Sequence, residues 1–177
     1  MYDSLEIADI KQNILNIGSG ELKVWASAVS KDEKLFNQLF QFVFSGERRV
    51  AWRSCWIIDT ASEETPVLLA DKLTEIITGM ISTGDGSLKR HFTRMLCRYQ
   101  IPEEYLGAVV NRCFDLLAPQ EPVAVRVYAM QLLFNIAHQM PDLKGELISV
   151  IEHLTEEGGT AGFNNRAAKL LRQLRCQ

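Results

Sequence analysis

The sequence predicts an all-α fold, a solenoid of about five helix pairs forming one domain over residues 1–177. Three observations carry this expectation. Apolar residues recur at helical spacing, turn residues punctuate the chain at regular intervals, and a basic signature returns about every 40 residues.

The periodicity is plain in several stretches. Leu69, Leu73, Ile76 and Met80 step by four, three and four residues, and so do Leu106, Val110, Cys113 and Leu117. Leu143, Leu147, Ile151 and Leu154 step by four, four and three. Each series lays an apolar stripe along one side of a helix, and no comparable stretch alternates in the strand period.

The boundaries have their own chemistry. Ser30 with Glu33, and Thr60 with Glu63, read as capping boxes. Pro102 followed by Glu103 and Glu104 fits a helix start, where a missing N–H costs nothing and acids meet the helix dipole. Gly18-Ser19-Gly20, Ser45-Gly46, Gly84-Asp85-Gly86 and Gly158-Gly159 read as turns. Together they predict ten helices over 2–17, 20–29, 31–44, 47–61, 63–82, 85–99, 102–118, 121–140, 142–157 and 161–176. Linkers this short make successive helices antiparallel neighbours.

Composition bounds the function. The 47% hydrophobic and 23% charged content fits a soluble globular chain. A net charge of −3 argues against a non-specific nucleic-acid binder, though not against a local basic face. The N-terminus lacks a basic region followed by an apolar run, and no stretch reaches the roughly 18 apolar residues of a membrane span. A cytoplasmic location without membrane attachment is therefore expected. Cys55, Cys97, Cys113 and Cys176 form no CxxC pair, and His91, His138 and His153 lack ligand spacing, so no metal and no cofactor is expected.

The second helix of each expected pair opens alike. Arg49-Val50-Ala51-Trp52, Arg90-His91-Phe92-Thr93, Arg126-Val127-Tyr128-Ala129 and Arg166-Ala167-Ala168-Lys169 place their first arginines 41, 36 and 40 residues apart. This pattern resembles the HEAT and armadillo repeat families, HEAT more closely. Val125-Arg126 carries the HEAT signature of a basic residue preceded by Val, whereas Arg49 and Arg166 match in the arginine alone. The resemblance implies a right-handed α-α superhelix, with repeats at 31–61, 62–100, 101–140 and 141–177 and an N-terminal pair or cap at 1–30. It specifies architecture and leaves function open.

Charge is divided between the two layers of helices. The four second helices hold 12 of the 19 basic residues but only four of the 22 acids, so one layer is basic and the other acidic. The HEAT resemblance implies that the second helices line a concave surface. At about 100° per residue, positions 0, +4 and +7 from the repeated arginine share a face. The expected partner-binding residues on that face are Arg49, Arg53, Trp56, Arg90, Arg94, Arg126, Met130, Leu133 and Arg166, with positions +2, +6 and +9 turned to the core. Two roles stay open for the repeated arginines: binding a partner, or tying neighbouring repeats together.

The reading that follows is a non-enzymatic protein-interaction scaffold whose basic and apolar groove takes an acidic protein or peptide. The alternative is nucleic-acid binding by a relative of the HEAT-like DNA glycosylases of alkylation repair, for which Trp52, Trp56 and Asp59 invite comparison. No GxSxG, HExxH or phosphate-binding glycine loop occurs, so no catalytic residue is assigned.

Overall fold

The computed structural model describes residues 7–176, and residues 2–6 of the first expected helix lie outside the described residues. Among the described residues eleven α-helices follow one another: α1 Ile7–Asn16, α2 Ser19–Val29, α3 Glu33–Phe42, α4 Arg48–Glu64, α5 Val67–Ala70, α6 Leu73–Ser82, α7 Gly86–Leu96, α8 Glu103–Asp115, α9 Val123–Ile136, α10 Leu143–Glu156 and α11 Ala161–Arg175. Among the described residues there is no strand.

The expected helix over 63–82 is corrected. It breaks into the end of α4, the single turn α5, and α6. Pro66 is the cause. Its ring disfavours the helical region for the preceding residue, and Thr65 sits at φ −133°, ψ 80°. Two capping boxes fall with it. Thr60 lies inside α4, its hydroxyl donating to the Trp56 carbonyl at 2.9 Å. Ser30 closes α2, its hydroxyl 2.7 Å from the Glu64 carboxylate, while Asp32 caps α3 by accepting from the Leu35 N–H at 2.9 Å. Gly46 and Gly158 turn the chain at φ 77° and 92°, where a side chain would be strained.

The chain divides into two compact units, residues 1–95 and 96–177. In the first unit α4 is the hub, packing against α1, α2, α3 and α5. Its inner face buries Val50, Ala51, Cys55, Ile57, Ile58 and Ala61. An aromatic ladder runs from α3 into the turn after it: Phe36 on Phe40, Phe40 edge-on to Phe44, and Phe44 onto Phe92 of α7, with ring centroids 6.4, 5.6 and 5.8 Å apart. The i, i+4 step from Phe36 to Phe40 keeps those two rings on a single face of the helix.

In the second unit α9 is the hub, in contact with α8, α10 and α11. It buries Val125, Arg126, Ala129, Met130, Leu132, Leu133, Phe134 and Ile136, which leaves one partly open face of Ala124, Val127, Tyr128, Gln131 and Asn135.

Candidate functional site

The arginines of the expected binding face divide into those the fold consumes and those it leaves free. Arg53 closes the end of α1. Its Nη1 donates to the carbonyls of Ile14, Leu15 and Ile17, the last at 2.7 Å. These are orphan acceptors of a helix C-terminus, so a cation there satisfies hydrogen bonds and complements the dipole. Arg94 reaches from α7 to α4, with Nη1 3.0 Å from Asp59 and Nη2 on Glu63. Arg126 is 9% exposed; its Nε donates to the Leu117 carbonyl at 2.9 Å and its guanidinium lies 4.4 Å from the Phe163 ring centre. Arg166 donates to Gln131 Oε1 at 3.0 Å, linking α11 to α9.

Arg49 and Arg90 remain. Both are exposed, and neither makes a hydrogen bond or ion pair among the described residues. Arg49 lies three residues before Trp52 on α4, and Arg90 three residues after Ser87 on α7, so each pair shares a helix face. Arg48, Arg49, Trp52 and Ser87 line an open recess of about 410 Å³. Arg48 keeps 86% of its side chain exposed while its Nε lies 2.9 Å from Asp85. Trp52 is half-buried, with the Arg53 guanidinium 5.9 Å from its ring. Arg48 and Arg49 make this recess a basic shelf. In the second unit a smaller polar recess of about 350 Å³ is lined by Val127, Gly162, Asn165, Arg166 and Lys169.

Two expected binding residues are corrected. Met130 and Leu133 are fully buried and present nothing to a partner. The helical register explains why. The residue following the repeated arginine is buried in α4, α7 and α11, as Val50, His91 and Ala167. In α9 the arginine itself is buried, and Tyr128 is the residue that precedes the corresponding buried pair, Ala129 and Met130. The signature has slipped by two residues, which turns positions 0, +4 and +7 inward. Trp56 is half-buried on the Arg53 side of α4.

The grouping of Trp52, Trp56 and Asp59 is also undone. Asp59 is fully buried, with Oδ2 2.8 Å from His91 Nδ1 and 3.0 Å from Arg94 Nη1. A carboxylate enclosed in this way joins α4 to α7 and reaches no substrate. The helix N-terminus at Gly86 offers no open anion site, because Asp85 fills it: Oδ1 accepts from the N–H groups of Ser87 and Leu88 at 2.8 and 3.2 Å. Burial pushes the Asp85 carboxyl up, but the Leu88 N–H, Arg48 and the Ser87 N–H outweigh it and hold it below its ordinary range.

The thiols follow their surroundings. Burial, with the negative charges of Asp59 and Asp85, pushes Cys55 far up, and burial does the same to Cys113. Among the described residues no group of three or more His, Cys, Asp or Glu is placed to hold a metal ion. No described helix is long and apolar enough to cross a membrane.

Sequence reasoning passed over Arg48 and Ser87, which line the recess of the first unit, and assigned Trp52 to another role. The signals were present: two adjacent arginines at a helix start and a tryptophan three residues on.

Consecutive helix pairs of this kind, with arginines tying one pair to the next, define an α-helical repeat protein. A family model for the HEAT repeat domain matches residues 12–174, and the chain belongs to that family. No curated protein and no solved structure gives a match.

Proposed function

We propose that this chain is a non-enzymatic interaction scaffold that receives an acidic segment of a partner protein on the shelf between α4 and α7. One observation carries the reading. Among the described residues Arg49 is exposed and unbonded beside Arg48 and Trp52, and Arg90 is exposed and unbonded one helical turn after Ser87 of the same recess, whereas Arg53, Arg94 and Arg126 are occupied by the fold. Arginines held near an aromatic face are the residue types that dominate protein recognition sites. HEAT repeats commonly serve as protein-interaction scaffolds, which agrees with this reading.

The test is an affinity capture from the source cell with and without nuclease, run beside an Arg49→Glu/Arg90→Glu variant of unchanged thermal stability. A partner kept after nuclease and lost in the variant supports the proposal. Bound nucleic acid, or partners that vanish with nuclease, transfers the shelf to the alkylation-repair alternative and overturns the protein-partner reading. Identical capture by wild type and variant removes the shelf from function.

A further inference from the structure

Beside the basic shelf lies a second recess of about 460 Å³, predominantly apolar, walled by Val43, Phe44, Ala51, Gly79, Leu88 and Phe92. Phe44 is 45% exposed and stacks on the buried Phe92. Gly79 makes the stack possible, since a Cβ there would lie 2.9 Å from both rings. Arg48 lines this cup and also the shelf, so the two recesses share a wall.

The polar groups of the cup are already engaged. Ser82 Oγ donates to the Thr78 carbonyl at 2.8 Å, Thr83 Oγ1 accepts from the Asp85 N–H at 3.2 Å, and Asp85 caps α7. A small-molecule site needs a few convergent polar groups to fix orientation, and this cup supplies no such set. Orientation has to come from the neighbouring arginines.

We infer that the cup and shelf together recognise one short protein segment in which a large apolar side chain stands next to acidic residues. The apolar side chain fills the space between Phe44, Leu88 and Phe92. The adjacent Asp or Glu residues meet Arg48, Arg49 and Arg90, which is the charge complementarity that selects this occupant. The inference rests on the proposed acidic partner and adds the apolar anchor that gives the site sequence specificity. Buried apolar anchors ringed by charge are how small interfaces gain affinity from few residues.

The experiment is selection of short random peptides displayed against the purified 177-residue chain, followed by fluorescence anisotropy on the enriched sequences. The expected peptides carry Phe, Leu, Ile, Met or Trp within a few residues of Asp or Glu. Replacing that apolar residue by Ala, or filling the cup with Ser82→Trp, each weakens binding about tenfold or more, and so does Arg49→Glu/Arg90→Glu. Thermal melting checks each variant, and Phe44→Ala, which removes an exposed wall of the cup, replaces Ser82→Trp if the latter does not fold. Enrichment of acidic peptides with no apolar preference, and with full binding to the cup variant, overturns the anchor and leaves the shelf standing. Enrichment of peptides without acids, or of none at all, overturns both.

Discussion

Asp59 and His91 face each other inside the first unit, Oδ2 to Nδ1 at 2.8 Å, with both side chains shut off from solvent. Arg94 closes the same group from its edge, 3.0 Å from the same carboxylate oxygen. Removing the shared carboxylate strands the buried His91 and takes one of two carboxylate partners from Arg94, which is 22% exposed and keeps Glu63. Asp59→Ala is expected to lower stability by about 1–3 kcal/mol, the usual cost of leaving a buried hydrogen-bonding group unsatisfied. Asp59→Asn, which keeps the shape, should cost less. Urea unfolding followed by helical circular dichroism compares them, and a neutral Asp59→Ala would show that the group holds nothing together.

The arginines should sort by what they touch. Arg126→Met loses the bond to Leu117 and its charge over Phe163, and is expected to cost about 1.5–3 kcal/mol. Arg53→Ala uncovers three carbonyls at the end of α1, so amide exchange in α1 should quicken. Arg49→Ala and Arg90→Ala should stay within about 0.5 kcal/mol of wild type. A loss from Arg49→Ala as large as that from Arg126→Met would make the shelf architecture.

Gly79→Ala sets two effects against each other. Alanine favours the helix by roughly 1 kcal/mol, but the new methyl group meets the Phe44 and Phe92 rings at 2.9 Å. Phe44 has solvent to move into and Phe92 has not. Overpacking of this kind costs about 1–3 kcal/mol, so a net loss and a lower Tm are expected. A raised Tm would mean that the ring stack yields without cost.

Asp85 predicts an acid limb in the stability curve. Its carboxyl is held below the ordinary value of 3.8, so the folded state binds the proton more weakly than the unfolded chain does. The resulting stabilisation is fully present above that ordinary value and is lost as pH falls through the lower folded one. Asp85→Ser keeps a cap without a charge, so its urea midpoint should fall less than that of wild type between about pH 5 and pH 2. Equal falls would assign the acid sensitivity to other carboxylates.

Thiol labelling at neutral pH should proceed in an order set by exposure. Cys176 is exposed and reacts first, and Cys97, half-buried, follows. Cys55 and Cys113 are buried thiols held in the protonated form and should react only on unfolding. Early labelling of Cys55 would reveal opening of α4.

Amphipathic helices were legible in the sequence, and the apolar one was not. In α4 the alternation of Arg49 and Arg53 with Val50, Ala51 and Cys55 states which side faces inward. In α9 the run Val123–Ile136 has one charged residue, and its outer face mixes Tyr128, Gln131 and Asn135 with Ala124 and Val127, so periodicity marks the inner side only weakly. The arginine signature filled that gap and misled, placing Met130 and Leu133 on the surface when packing against three helices encloses them. The site was partly legible: Arg49 and Arg90 could be named from their repeat. Their difference from Arg53 and Arg94 depends on where α1 ends and where Asp59 points, and both are long-range facts. The break at Pro66 was written in the chain but set against an apolar pattern that continues to either side of it.

The burial of α9 also bears on how the chain is made. As the polypeptide leaves the ribosome, α8 has emerged and can cover α9, but α10 and α11 emerge only after it. For that interval a nearly uncharged fourteen-residue segment is only partly shielded, the kind of surface on which nascent chains associate or recruit chaperones. Translation pausing once α9 has left the exit tunnel, but before α10 and α11 have done so, would lengthen this exposure.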